Sequence, residues 1–469
     1  MEKFGHIVFE IDNQDGILNF TFSDSTPVWP ILRWQMRFAE MQSQSGSRSV
    51  KSHSGQPVSL WNYMFFCLQN RPKFSRNTDI ISIANYEGNP GVPNRMTLFL
   101  KDISELKKQE WLYSSNRKMF GGLSETYSFD YFFYTSWLKS KLMFSSQNKL
   151  WEKQLDEFLN PVRQMLAAYI RPEAWFQIRS ELSFINRVIP VYRKTLKTAL
   201  KKAKPKFLLV SEGNNGEWKQ AVLFQVAKEL HIPTGEVQHG VFNLGMKYGE
   251  KLAVNPKLNK MKTDYEFVFG PFHATLTNAP VHCIPFGHYD LERAAVYEGS
   301  ASHEKTEEGK RILLVGEGIP PSSIDNGLLK HTHKALKGSQ RPFELVIRLH
   351  PSEVPDEKYN PFFEFPGTRY SEYTTETVHS LIKQSDIVIS HASTVVFEAL
   401  YYNVPVLVLQ DANTETYIPR GVGIPFYNAE DLLEHLNRPL HYAESEKGFW
   451  SREGVVNNFR KFWKNHIQS

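Results

Sequence analysis

The sequence predicts an α/β protein of two doubly wound, Rossmann-like domains with a cleft between them, and three observations carry that prediction. Short β-branched apolar runs alternate with helix-spaced segments from Phe207 to Leu409, the pattern of parallel strands buried on both faces. The alternation breaks once, over Asp290 to Lys310, where Glu, Ala, Ser, Lys and Thr replace apolar residues and a linker is expected. A chain of 469 residues also exceeds what one compact core holds, so two domains of roughly 200 residues each are the prior.

In chain order, Ile7 to Phe22 reads as a hairpin. Thr26 to Trp34 enters a helix through Pro27 and Pro30, with Trp29, Arg33 and Trp34 as a packed corner. Gln42 to Gln56 is a Ser-, Gly- and Gln-rich exposed loop, and Thr78 to Ala84 is a buried strand that runs into the polar loop Asn85 to Pro90. Ser146 to Lys204 is helical. Its lysines, with Lys206, form a cluster from Lys194 onward that reads as a solvated face, the alternative being contact with acidic lipid or an anionic polymer.

Strands are then expected at Phe207 to Val210, Thr234 to Gln238, Tyr265 to Phe269 and Cys283 to Phe286, with a helix over Trp218 to Leu230. After the linker they recur at Arg311 to Val315, Phe343 to Leu349, Ile387 to Ile389 and Val404 to Leu409. Asp431 to Ser469 forms two helical stretches whose Trp450, Phe459 and Trp463 pack back over the first domain. The expected division is therefore 1–289, a linker at 290–310, a second domain at 311–430, and returning helices at 431–469.

Composition narrows the function. Hydrophobic residues at 41% and charged ones at 22% describe a folded chain, not a disordered one. A net charge of +5 suits anionic ligands or a membrane surface. No basic stretch carries the aromatic interleaving of a nucleic-acid site, so DNA and RNA are discounted. With Cys67 and Cys283 as the only cysteines, a disulfide framework and a zinc quartet are both excluded. Trp61 to Leu68, the longest apolar run, falls short of the ~18 residues of a membrane span. Met1 to Glu10 lacks the apolar core of a signal peptide. A cytoplasmic protein is expected, with peripheral contact at the inner membrane face left open.

Five polar clusters follow expected strands, at the edge where open α/β sheets bind ligands. They are Glu212-Gly213, His239-Gly240, Glu317-Gly318, Arg348-Leu349-His350-Pro351 and the turn from Ser390 to Thr394. His350, held extended by Pro351, can donate to or protonate a leaving phosphate, and Arg348 two residues earlier shares its face. Ser393 and Thr394 offer hydroxyls and a helix start to a phosphate, against the plainer account of an N-cap. Glu398 lies one turn on, as a hydroxyl acceptor or a structural carboxylate. His239 and Glu212 are rival general bases. There is no Asp-X-Asp pair to hold a divalent ion with a nucleotide diphosphate, so a metal-independent site is expected.

These motifs resemble those of GT-B glycosyltransferases of bacterial surface-polysaccharide synthesis. The run Ser390 to Leu400 followed by Asn403-Val404-Pro405-Val406-Leu407-Val408 is similar to their donor-site strand–helix–strand. Ile347-Arg348-Leu349-His350-Pro351 looks like the His-Pro motif of bacterial sialyltransferases and polysialyltransferases, and Ser393-Thr394 like their Ser-Ser/Thr motif. In that family the His and hydroxyls bind the phosphate of a CMP-sugar, and a motif of two acids and a Gly supplies the base. Ser211-Glu212-Gly213 and Gly316-Glu317-Gly318 approximate it, each without the first acid. Gln238-His239-Gly240 resembles instead the His-Gly of capsule-type and CDP-glycerol transferases.

The resemblance implies an inverting, metal-independent glycosyltransferase that needs no cofactor beyond its nucleotide-sugar donor. A CMP-linked sialic acid or Kdo would go to a capsule or lipopolysaccharide acceptor, with a lipid-linked acceptor left open. Arg348, His350, Pro351, Ser393, Thr394, Glu398, Glu317 and Gly318 would hold the donor. Three alternatives share the scaffold or its ligands: a nucleotide-sugar 2-epimerase, a CDP-glycerol-type phosphotransferase, and a non-catalytic carbohydrate-binding protein.

Overall fold

Strand order decides the architecture. In the computed structural model, the described residues are 2–44, 78–85, 95–113, 126–142, 148–211, 217–238, 248–297, 310–316, 327–350, 355, 357–371, 376–391, 393–411, 418, 422–440 and 447–468. The first sheet contains β1 (Ile80–Asn85), β2 (Lys108–Tyr113), β3 (Thr126–Ser128), β4 (Phe207–Ser211), β5 (Thr234–Val237), β6 (Tyr265–Val268) and β7 (His282–Pro285). The second contains β8 (Lys310–Val315), β9 (Phe343–Arg348), β10 (Arg369–Tyr370), β11 (Ile387–Ser390), β12 (Val406–Leu409) and β13 (Ile424–Phe426).

Their spatial orders are β3-β2-β1-β4-β5-β6-β7 and β10-β9-β8-β11-β12-β13, with every described pairing parallel. Each sheet grows outward from its first strand in one direction and then in the other. The reversal falls between β1 and β4 in one and between β8 and β11 in the other. Both halves are thus doubly wound, and the two-domain α/β expectation holds.

Helices cover both faces, which is why β4, β11 and β12 are buried at every position and read as continuous apolar runs. The Pro172–Ala203 helix buries Trp175, Ile178, Leu182, Ile185, Ile189, Tyr192 and Leu196 at spacings of three and four. It packs beside the Glu2–Asp12, Trp29–Gln44 and Trp218–Glu229 helices over one face of the first sheet. The opposite face is closed by the Arg95–Lys101 helix and by the Val455–His466 helix, which brings Phe459, Phe462 and Trp463 against Phe99, Phe207, Phe267 and Phe286.

Several expectations change. Ile7 to Phe22 is not a hairpin: Phe4, Val8 and Ile11 are buried at helical spacing in the Glu2–Asp12 helix. The start of the expected 290–310 linker is the Tyr289–Tyr297 helix, which touches the second domain. Its Leu291 carbonyl accepts the Tyr402 hydroxyl (3.4 Å) and its Ala294 carbonyl accepts Lys383 Nζ (3.3 Å). Asp431 to Asn437 stays with the second domain, in a helix whose Leu432 and Leu436 join Leu328, Ala335 and Leu336 in one cluster. Trp450 packs between the halves, on Phe272 and Phe397, so only the Val455–His466 helix lies over the first sheet. Among the lysines from Lys194 to Lys206, Lys197 pairs with Glu229 (2.7 Å) and Lys206 with Asp79 (2.8 Å).

Strands β2, β3, β10 and β13 were not expected. In β2, Lys-Gln-Glu precedes Trp111, yet Gln109 and Glu110 are buried, with Thr97 donating to Glu110 and Lys108 Nζ to the Leu100 carbonyl (2.6 Å). The sequences 45–77 and 86–94, which include most of two expected loops and the Trp61 to Leu68 run, lie outside the described residues. Among the described residues no helix is long and apolar enough to cross a membrane.

The aromatic layer under the last helix carries a direct test. Phe459→Ala empties a fully buried site between Phe99 and Phe267 and should lower unfolding stability by about 3 kcal/mol. Urea unfolding should show a lower midpoint with an unchanged slope; an unshifted midpoint would mean the helix does not seal that face.

Candidate functional site

A crevice opens at the C-terminal edge of a doubly wound sheet where the strand order reverses, because the two neighbouring loops leave in opposite directions. In the first sheet that point lies beyond Asn85 and Ser211. In the second it lies beyond Val315 and Ser390, so the turn carrying Ser393 and Thr394 belongs to the switch point itself.

Glu212, His239, Glu317, Gly318 and Pro351 lie outside the described residues. Glu212 directly follows β4, His239 comes two residues after β5, Glu317 two after β8, and Pro351 three after β9.

The remaining candidates divide. Ser393 and Thr394 are half-buried at the switch point. Ser393 donates its N–H to the His391 carbonyl (3.0 Å), and its Oγ accepts from Val395 N (3.3 Å). The Thr394 hydroxyl makes no cap bond to the Val395–Tyr401 helix. Arg348 ends β9, and one nitrogen of its guanidinium donates to Ser371 Oγ (3.2 Å) and to the Glu376 carbonyl (3.1 Å). His350 is exposed. Strand β9 stands two strand spacings from β11, about 10 Å across the edge, with β8 between. Glu398 is buried, and its Oε2 lies 3.5 Å from His379 Nδ1. The topology therefore joins Ser393 and Thr394 with the strand that leads to Glu317, while Arg348 and Glu398 are engaged by neighbouring protein groups.

One residue at this edge was passed over. His391 is 1% exposed and its Nε2 is 2.9 Å from Asp411 Oδ1, which stitches the end of β11 to the end of β12. The pair holds the backbone from which Ser393 projects. A His at a strand end is the same signal that singles out His239 and His350, and it could have been read here too.

The sequence 239–247 re-enters the described structure at Tyr248 through a buried polar knot. Tyr248 and Asn278 exchange two hydrogen bonds, Tyr248 N to Oδ1 (2.9 Å) and Nδ2 to the Tyr248 carbonyl (2.7 Å). Asp12 accepts from Gly249 N (2.9 Å) and from Trp29 Nε1 (2.8 Å), and it pairs with Arg33 (3.2 Å). A Cβ on Gly249 would lie 2.6 Å from that of Asp12, so only glycine allows this approach. Arg33 and Lys262 stand over the Tyr248 ring at 4.7 and 4.9 Å. Burial raises the Asp12 carboxyl, opposed by Arg33, Gly249 and Trp29. The first two helices thus brace Tyr248 and Gly249.

No family model matches the chain, and no curated protein sequence matches it. Solved structures do. The UDP complex of MnaA from S. aureus is 14% identical over 84% of this chain and 98% of its own, with a TM-score of 0.44. MurG of Acinetobacter baumannii is 13% identical over 83% and 99%, at 0.47. The lipopolysaccharide outer core galactosyltransferase WaaB is 11% identical over 82% and 99%, at 0.43. Likenesses this distant say nothing of activity.

The polar layer beneath the knot predicts a pH dependence of stability. Register pairs Glu236 with Glu266, and Glu266 with Cys283. Burial pushes the Glu266 carboxyl from 4.5 up to about 7, with Lys262 pulling it back. Burial and Glu266 together push the Cys283 thiol up to about 12. Because the folded pKa of Glu266 lies above its unfolded value, folding binds a proton between these two pH values. Native stability then falls as pH rises through the window, and the loss is complete above it. Glu266→Gln should therefore stabilise more at pH ~8 than at pH ~4, by up to about 3 kcal/mol in denaturant titrations. An equal effect at both pH values would remove Glu266 from the account.

Proposed function

We propose that the protein is an inverting, metal-independent glycosyltransferase that takes a sugar from a nucleotide donor and passes it to a capsule- or lipopolysaccharide-type saccharide. The observation that carries this reading is the coincidence, in the second domain, of two independent features. The β8–β11 reversal marks where a doubly wound sheet binds a nucleotide. The Ser-His-Ala-Ser-Thr run, whose resemblance to a donor site rests on sequence alone, begins at the end of β11.

The reaction follows from that placement. An acceptor hydroxyl attacks the anomeric carbon from the face opposite the phosphate, forming the new C–O bond as the old one breaks. His239, or Glu212 in its place, takes the hydroxyl proton. The electron pair of the broken bond leaves on the phosphate oxygen, where the Ser393 and Thr394 hydroxyls and His350 supply hydrogen bonds. The free Thr394 cap position and the His391–Asp411 anchor support this role. With Arg348 tied to Ser371 and Glu376, its part is to hold the wall of the site, and Glu398 faces His379 in the same way. CMP-linked sialic acid or Kdo is the donor that the His-Pro and Ser-Thr resemblance favours.

Thermal-shift titration with CMP, CDP, UDP and GDP tests the reading, since a nucleotide that binds the native state raises the melting temperature. One nucleotide should stand out, and Ser393→Ala with Thr394→Val should weaken it by at least about tenfold. His239→Ala should leave nucleotide affinity in place while cutting transfer by about 100-fold or more. Stabilisation by none of the four would overturn the donor-site assignment, and epimerisation of UDP-N-acetylglucosamine without any acceptor would overturn the transferase.

A further inference from the structure

The two candidate half-sites are joined by a buried contact that no motif marks. Gln238 directly follows β5, just before His239, and is 5% exposed. Its Oε1 accepts from Phe269 N (2.8 Å), and its Nε2 lies 3.1 Å from His273 Nδ1. A backbone N–H can only donate, so the amide oxygen must face Phe269 and the amide nitrogen must face the ring. His273 Nδ1 is then the acceptor and its proton is on Nε2. Burial holds the imidazole at about 3, so the ring is neutral at any working pH, as this bond requires.

The other face of the same ring meets the second domain. His273 is fully buried, and its ring centroid is 4.8 Å from that of Phe397. Phe397 N donates to the Thr394 carbonyl (3.0 Å), so the Phe397 ring and the candidate hydroxyls ride on one turn of backbone. Phe272 and Trp450 complete the contact, at 5.6 and 5.8 Å from Phe397 and 4.7 Å from each other. The Lys447–Trp450 segment lies so close that a Cβ on Gly270 would be 2.6 Å from the Trp450 carbonyl oxygen. Apolar packing alone would fill this volume as well. A Gln–His pair adds a directional bond that holds at one orientation of the Gln238 backbone.

We propose that His273 is a positioning residue: by holding Gln238 and carrying Phe397, it fixes the spacing between the end of the first domain's β5 segment and the turn of Ser393 and Thr394. The inference rests on the transferase reading only for what those two segments do, and the contact itself can be tested without substrate.

Three variants separate its contacts with Gln238 and with Phe397. His273→Phe keeps a ring on Phe397 and leaves Gln238 without its acceptor. His273→Asn keeps an acceptor near the Nδ1 position and removes the ring. His273→Ala removes both. Amide hydrogen exchange is followed in the unliganded full-length protein for peptides covering 234–248 and 393–402. His273→Ala should speed exchange in both by about tenfold, His273→Phe chiefly in the first, and His273→Asn chiefly in the second. Acceleration of only one segment by His273→Ala overturns the proposal, as does uniform acceleration across β4 and the Trp218–Glu229 helix, which marks a plain core residue. In turnover assays His273→Ala should lower kcat by about tenfold with nucleotide affinity within about threefold of wild type. A wild-type protein that turns over no nucleotide sugar would count against the transferase reading, while the exchange pattern still decides the role of His273.

Discussion

The parallel pairing of β1 with β4, and of β8 with β11, is the constraint on which the rest depends. Parallel neighbours cannot be joined by tight turns, so each connection crosses a face as a helix and returns to the same edge. Every loop that leaves a strand end therefore gathers at one rim of its sheet. The reversal of winding then separates two adjacent loops and opens a crevice without any side chain being removed. Nothing in this needs a catalytic residue, and so the position of the site is fixed before its chemistry is.

What holds the rims in relation to each other is a seam of aromatic and polar groups, mostly from segments that follow strands. The Phe269 and His288 rings pack with centroids 4.2 Å apart and planes tilted by 46°, and Phe272, Phe397 and Trp450 close one end. The returning chain is pinned at three backbone groups: His288 N to Ser451 Oγ (3.1 Å), Arg452 N to the Phe269 carbonyl (2.9 Å) and Val455 N to Glu292 Oε2 (2.7 Å). Buried hydrogen bonds of this kind add little net stability, but breaking one strands a partner away from water. They select one arrangement of the chain at the seam.

Legibility in the sequence followed burial. Strands β4, β11 and β12 are buried on both faces and announce themselves as apolar runs, whereas β2 hides because Gln109 and Glu110 are buried with partners supplied by other segments. The Ile7 to Phe22 reading failed for a related reason. Phe4, Val8 and Ile11 mark a helix, but the apolar residues beyond Asp12 continue the pattern into a non-helical turn with only an isolated bridge, Thr21 to Pro27. The turn of Ser393 and Thr394 between β11 and the following helix was legible as a turn because it is local. His273 was not, since its meaning comes from Gln238 and Phe397, neither of which lies near it in the chain.

The knot at Asp12 follows the same logic at Tyr248 and Gly249. Asp12, Arg33 and Lys262 converge on Tyr248 and Gly249, and Lys262 also acts on the Glu266 carboxyl. Charges withdrawn from water in this way seldom stabilise a fold more than apolar side chains of similar size would. What they add is direction. Asp12 can accept from Gly249 N and Trp29 Nε1 together only while the Trp29–Gln44 helix keeps its place against the Glu2–Asp12 helix. A segment entered through Gln238 and left through Gly249 has both ends set by buried hydrogen bonds. Gln238 and Tyr248 are thus each set in place by groups distant from them in the chain.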